Sequence, residues 1–252
     1  MKIDKFSLNV IETCESTNDE LIKLGKQGIN EGYSILSYHQ TKGRGSKNRT
    51  WLSPKGNIYL STLIKPKTKK INWNQISLLS GLSVMESLIQ LGISQELLKI
   101  KWPNDILINL KKVCGILVES FDNFVVVGIG LNVNSYPKNI DSKLDCTDLS
   151  SFGQIKENDL LKITNLILKT FFSNYISWSN FLLKPLLNKI NENLAFKNSN
   201  IIFEYNGSTL KGILLEIDEN GLLKVLFKKK VLKILSSDFT IIKQGDGNAF
   251  SN

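Results

Sequence analysis

The two arginines of this chain, Arg44 and Arg49, lie within one nine-residue stretch, Gly43-Arg44-Gly45-Ser46-Lys47-Asn48-Arg49-Thr50-Trp51, while the rest of its fixed side-chain positive charge is lysine. Lysine serves on a solvated surface, but a planar fork of donors is hard to replace where a phosphate or carboxylate is held through two oxygens. Glycines on both sides of Arg44 let backbone N–H groups approach an anion closely. The stretch reads as an anion-gripping loop able to change conformation, with a basic, solvent-exposed turn as the bland alternative for so short a motif. Four other segments carry polar or glycine residues in need of a common explanation. They are Ser16-Thr17-Asn18, Lys101-Trp102-Pro103-Asn104-Asp105, Lys111-Lys112-Val113-Cys114-Gly115-Ile116 and Gly128-Ile129-Gly130-Leu131-Asn132-Val133-Asn134, and Gln40 stands just ahead of the arginine loop.

The elements that position these segments follow from periodicity. A strand over 6–11 leads into Ser16-Thr17-Asn18, where Ser16 or Thr17 is a plausible N-cap for a helix carrying Leu21, Ile22 and Leu24 and stopping at Gly25 to Gly28. Strands over 33–39 and an alternating 57–64 flank the arginine loop, and an amphipathic helix is expected over 73–91, ended by Gly92. Runs at 100–102 with 106–108, 113–120 and 124–134, separated by turns at 109–112 and 122–123, make an antiparallel meander. A polar loop over 141–154 precedes two helices, at 159–178 and 181–194. From about Phe196 the pattern changes to short strands at 201–205, 210–217, 222–227 and 231–235, joined at Asn206-Gly207 and Asn220-Gly221, which is a small β-barrel or SH3-like module. The expected class is α+β, with a mixed, largely antiparallel sheet and helices over 1–195, the β-module over 196–245 and a frayed tail at 246–252.

Composition narrows the function. At 252 residues the chain is long enough for a large domain and a small one, and 42% hydrophobic with 22% charged residues is ordinary for a globular protein. Three cysteines, odd in number and without metal-ligand spacing, point to reduced thiols in the cytoplasm. No signal-like or membrane-spanning run is present in the sequence. A net charge of +9 invites a nucleic-acid reading, but the lysines are spread out and their tight runs, 65–70 and 228–230, have few interleaved aromatics. The single histidine, His39, alternates away from Gln40 and is assigned to packing, so no Ser-His-Asp or Cys-His system can be built.

Taken together and in order, the five segments resemble the biotin–protein ligases, whose arginine-glycine loop, Lys-Trp-Pro-Asn-Asp segment, Lys-x-x-Gly-Ile-Leu-Val-Glu strand and Gly-x-Gly-x-Asn strand are matched here from Ser16 onward. The resemblance implies the class II aminoacyl-tRNA synthetase-like catalytic fold and a two-step, ATP-dependent reaction. Biotin and ATP give biotinyl-5′-AMP and pyrophosphate, and the biotinyl group then passes to a lysine of the biotin carboxyl carrier domain of acetyl-CoA carboxylase. It further implies Ser16, Thr17, Asn18 and Gln40 at the biotin head. Arg44, with Gly43, Gly45, Ser46 and Arg49 of its loop, falls to the adenylate phosphate, Lys112 to the biotin carboxylate or the phosphate that replaces it, and Trp51 to the adenine. Lys101, Asn104, Gly115, Gly130 and Asn132 complete the ligand-binding set. Asp105 is a candidate to orient Mg²⁺ through the nucleotide or to receive the acceptor amine. Structural alternatives stand beside several of these: an N-cap for Ser16 or Thr17, a solvated hairpin lysine for Lys112, an exposed tryptophan for Trp51 and β-bulges for the glycines.

The sequence departs from the family at Ser46, where the common loop Gly-Arg-Gly-Arg has its second arginine. That substitution raises a ligase-like protein without turnover as one alternative. Others are a lipoate- or octanoate-transferring enzyme of the same fold and a non-catalytic nucleic-acid-binding protein using the β-module. With the pattern starting by residue 16, the expected type is monofunctional, without an N-terminal DNA-binding domain and with neither DNA nor membrane as partner. A homodimer through an edge strand stays open.

Overall fold

The computed structural model describes residues 6–137, 145–152, 159–235 and 239–244. The tail expected at 246–252, and the parts of the 141–154 loop at 141–144 and 153–154, lie outside the described residues.

A seven-stranded sheet runs in the order β1-β2-β3-β7-β6-β5-β4. Its strands are β1 (Ser7–Ile11), β2 (Tyr33–Ser37), β3 (Ile58–Ile64), β4 (Leu98–Lys101), β5 (Asp105–Ile108), β6 (Lys111–Ser120) and β7 (Val125–Leu131). Only β1 and β2 are parallel, because the helix α1 (Thr17–Lys26) crosses between them; every other neighbour is joined antiparallel. Ser16 caps α1, its hydroxyl accepting from the Asp19 N–H at 3.4 Å. The β5–β6 turn is tighter than the four residues expected: Asn109 and Leu110 both take left-handed φ, at 48° and 61°, which suits the twist of a two-residue hairpin and leaves Lys111 and Lys112 inside β6.

One face of the sheet is covered by α2 (Ile76–Gln90) and α3 (Leu160–Phe181). The amphipathic helix expected over 73–91 begins instead as a 3₁₀ segment at Lys70–Gln75, and α2 itself is buried on nearly every side, since it lies between the sheet and α3. Its buried serines Ser80, Ser83 and Ser87 satisfy their hydroxyls by donating to the carbonyl four residues back, at 2.6 to 2.8 Å. β3 is likewise buried on both faces, which its alternating sequence did not suggest. The second helix expected at 181–194 shrinks to α4 (Leu187–Glu192): Leu182 has φ 54°, and Pro185 has no N–H to continue the ladder. Among the described residues no helix is long and apolar enough to cross a membrane.

A second, antiparallel sheet follows, in the order β11-β10-β9-β8-β12, built from β8 (Asn200–Tyr205), β9 (Ser208–Ile217), β10 (Leu223–Phe227), β11 (Lys230–Ile234) and β12 (Phe239–Gln244). The fifth strand was not among those expected. The β9–β10 turn docks on the first sheet. There the Trp102 indole donates to the Gly221 carbonyl at 3.2 Å and the Asn74 amide to that of Asn220 at 3.0 Å. The smaller sheet therefore meets the larger one beside the 101–105 turn.

Candidate active site

Strand register assembles the site. Lys101, Asp105, Gly115, Gly130 and Tyr59 form one row across β4, β5, β6, β7 and β3, and Leu117, Gly128 and Ser61 form the next row of the same face. Side chains alternate along a strand, so all of these, with Glu119 two residues beyond Leu117, point away from α2 and α3. Three of them are glycines. Together they leave a strip of bare backbone as the floor of a cavity of about 740 Å³, walled by the arginine loop and by the start of α1.

One end of the cavity is a neutral hydrogen-bond relay. The Gln40 amide oxygen accepts from the Thr17 N–H at 2.8 Å and from its hydroxyl at 3.1 Å. The Ser61 hydroxyl reaches Thr17 Oγ1 at 2.7 Å and Asn18 Oδ1 at 2.6 Å, while Asn18 Nδ2 donates to Glu119 at 2.7 Å. Gln40 Nε2 donates to Ser53 Oγ at 3.0 Å, and that hydroxyl donates to the Trp51 carbonyl. Thr17, Asn18 and Ser61 are buried, so the relay presents donors and acceptors in fixed orientations. Gly128 is required here because a Cβ would collide with Asn18 Oδ1.

The other end is cationic. Lys112 Nζ lies 2.6 Å from Asp105 Oδ1 and Lys101 Nζ 3.6 Å from Oδ2, with all three side chains at most one-fifth exposed. Burial would raise the Asp105 carboxyl, but Lys112 and Lys101 more than offset it and hold the group below the usual carboxylate range. Burial pushes Lys101 below the ordinary lysine value against the attraction of Asp105. Arg49 adds its field to both groups. Three cations thus face one carboxylate, an excess suited to anions.

The loop is a tight hairpin. Gly45 N–H donates to Arg49 O at 2.7 Å, Trp51 N–H to Gly43 O at 2.9 Å, and Arg44 pairs with Thr50. Gly43 is packed so closely under Trp51 O and Ser53 Oγ that no side chain fits there. The Trp51 indole lies on the glycine floor: a Cβ at Gly115 or Gly130 would stand 2.7 or 2.6 Å from its ring. Lys112 Nζ sits 5.1 Å from the ring centroid, within cation–π range.

Most residues singled out in the sequence line this cavity: Ser16, Thr17, Asn18, Gln40, Arg44, Gly45, Ser46, Arg49, Trp51, Lys101, Asn104, Asp105, Lys112, Gly115 and Gly130. Three of the expected ligand residues have partners within the protein. Arg44 was expected on the phosphate, but its guanidinium is engaged by Glu119 through both oxygens, at 2.9 and 2.8 Å, and by Asp19 at 2.6 Å, so it latches the loop to β6 and α1. Asn132, expected at the ligand, is buried and gives its amide to the Thr147 carbonyl at 3.0 Å, which anchors the segment after β7. Asp105, a candidate to orient Mg²⁺ through the nucleotide or to receive the acceptor amine, has each of its oxygens facing an ammonium group. Lys112 is an ion-paired strand residue, unlike the solvated hairpin lysine. Ser61, Glu119 and Gly128 were missed. Ser61 was visible as a hydroxyl within an apolar strand, and Glu119 closes the Lys-x-x-Gly-Ile-Leu-Val-Glu run, but only the register brings either against the cavity-lining Thr17, Asn18 and Arg44.

Comparison with known proteins finds the biotin/lipoate A/B protein ligase family pattern over residues 10–134. The biotin--[acetyl-CoA-carboxylase] ligase of Mycobacterium tuberculosis (strain ATCC 25618 / H37Rv) is 33% identical over 177 residues, 69% of this chain and 65% of that protein, just under two thirds of its length. The bifunctional ligase/repressor BirA of Bacillus subtilis (strain 168) is 29% identical over 238 residues, 91% of this chain and 72% of that one. A solved biotin protein ligase from Aquifex aeolicus, in complex with biotin and ATP, superposes with a TM-score of 0.82 at 29% identity over 95% of this chain and 99% of its own.

Proposed function

We propose that this chain, which carries the biotin/lipoate A/B protein ligase family pattern over residues 10–134, attaches biotin to a lysine of a biotin carboxyl carrier domain through biotinyl-5′-AMP. The observation that carries this is the pairing, in one cavity, of the neutral Thr17–Gln40–Ser61–Asn18 relay with the Lys101–Asp105–Lys112 cluster. A ureido ring offers donors and an acceptor without charge, and the relay matches it in kind. The opposite end must bring a carboxylate to a triphosphate. That repulsion is lowered by Lys112, Lys101 and Arg49 before the reactants meet.

In the first step the biotin carboxylate oxygen attacks the α-phosphorus of ATP and pyrophosphate leaves. Lys112, 2.6 Å from Asp105, swings a short way from that carboxylate to the substrate's. In the second step a lysine amine of the carrier attacks the carbonyl of the mixed anhydride, forming an amide and releasing AMP. Asp105, with an ammonium group facing each of its oxygens, orients Lys112 and Lys101, and the amine proton passes to solvent. Mg²⁺ is assigned to the nucleotide's own phosphates, since the residues around Asp105 do not form a protein cage for it. Trp51 stacks the adenine after lifting from the glycine floor. Glu204 of the smaller sheet reaches the same cavity, which gives that module a part in closing over the nucleotide or in docking the carrier.

The test is pyrophosphate release with biotin and ATP supplied together and singly, followed by mass analysis of an added carrier domain. Release that needs both substrates, and a biotinylated carrier lysine, are expected. Release with lipoate but not biotin would replace this assignment.

A further inference from the structure

A second cavity of about 610 Å³ opens on the far side of the loop tip, between the 101–105 turn, the start of α2 and the β9–β10 turn. Ser46, Lys47, Arg49, Lys101, Asn104 and Asp105 are among the residues that line both cavities. Arg49 therefore stands at the seam, and Lys70 adds a further cation on the far side. Among the described residues the Arg49 guanidinium donates to Ser46 alone. Its Nε donates to the Ser46 carbonyl at 3.2 Å and its Nη2 to the Ser46 hydroxyl at 3.0 Å. Lys47, in the left-handed region at φ 57° and ψ 40°, makes the turn that folds Arg49 back onto Ser46, and Arg49 N–H closes it on Ser46 O at 3.3 Å. Among the described residues the guanidinium makes no hydrogen bond other than these two, which leaves Nη1 and one Nη2 hydrogen of this cavity-lining side chain available to a ligand.

Resting on the ligase reading above, we propose that Ser46 is a positioning residue. Its hydroxyl and carbonyl fix the Arg49 fork at the seam of the two cavities, where that fork holds the polyphosphate of the nucleotide across the bond that breaks. Arg44, the other guanidinium, is already engaged by Glu119 and Asp19. The serine at this loop position therefore works as a socket for the remaining arginine. An arginine in its place would remove the hydroxyl that orients Arg49 and bring a second positive charge beside it.

The proposal is tested by titrating inorganic pyrophosphate, and separately ATP, into wild type, Ser46→Ala, Ser46→Thr, Arg49→Lys and the Ser46→Ala/Arg49→Lys double variant by calorimetry. Biotin binding is measured as a control at the other end of the cavity. Loss of one hydrogen bond to a charged group should weaken pyrophosphate and ATP binding about tenfold in Ser46→Ala, with Ser46→Thr close to wild type and biotin affinity unchanged. In the Arg49→Lys background, Ser46→Ala should add nothing, because the fork it positions is gone. Equal affinity in wild type and Ser46→Ala, failure of Ser46→Thr to restore it, additive losses in the double variant, or no pyrophosphate binding by wild type would each overturn the proposal. These readouts need no turnover. A protein that binds pyrophosphate as described but releases none from biotin and ATP would fail the ligase reading and leave the socket standing.

Discussion

Removing Lys112 should separate the electrostatics of the site from its chemistry. Asp105 is buried, with Lys112 at 2.6 Å and Lys101 at 3.6 Å as its ion-pair partners. Deleting one member of a buried pair costs about 3 to 5 kcal/mol when the other is stranded. Here Lys101 remains, so we expect about 2 kcal/mol, with about 0.5 to 1 kcal/mol more from the lost contact with the Trp51 ring. That leaves a folded protein, since a domain has about 5 to 15 kcal/mol of stability. The pH dependence fixes the cause. In the wild type the folded carboxyl lies below its unfolded value, so its contribution is present above that value and is lost as pH falls through the folded pKa. In Lys112→Ala the nearer of its two lysine partners is lost while burial stays, so the folded carboxyl lies higher than in the wild type and less of that contribution remains. The deficit of the variant is then largest near neutral pH and narrows in acid, as Asp105 takes up a proton. Urea unfolding near pH 7 and near pH 4.5 measures this, and Asp105→Asn in the same chain should recover at least about 1 kcal/mol of the deficit without restoring pyrophosphate release. A deficit under about 0.5 kcal/mol, or one unchanged between the two pH values, would refute the assignment of Lys112 as the counter-charge of a buried carboxylate.

Arg44→Lys keeps the charge but loses the two-oxygen contact with Glu119. With these side chains partly exposed, the stability cost should be about 1 kcal/mol or less. Because Asn18 donates to the same Glu119, KM for biotin should rise while ATP affinity holds; a change confined to ATP would return Arg44 to the phosphate. Gly130→Ala places a Cβ 2.6 to 2.8 Å from the Trp51 ring and should lift the indole from the floor. Its emission should shift to the red relative to a Trp51→Phe control, and ATP binding should weaken about tenfold, since a bulkier floor misplaces the stacking ring. Unchanged emission and affinity would mean that the ring does not rest there in solution.

What the sequence disclosed, and what it withheld, divides along the kind of force involved. Strands, turns and the N-cap of α1 follow from local periodicity and φ preference, so they were legible, and the smaller sheet announced itself through Asn206-Gly207 and Asn220-Gly221. Elements whose surroundings are non-local were misread. The amphipathic pattern of α2 dissolves because α3 covers its second face, and α4 is cut short by a backbone reversal at Leu182 that a leucine does not advertise. The site behaves the same way. Residue types at motif positions located the cavity, but the partners of each charge depend on register between strands far apart in sequence. Glu119 reaches Arg44 across 75 residues, and that contact decides which guanidinium is left for an anion. A motif names two arginines without ranking them. The ranking comes from carboxylates outside the loop: Glu119 and Asp19 take Arg44, and Ser46 turns Arg49 toward the phosphates. The departure at Ser46, which in sequence looks like a lost contact, thereby becomes the feature that orients the contact that remains.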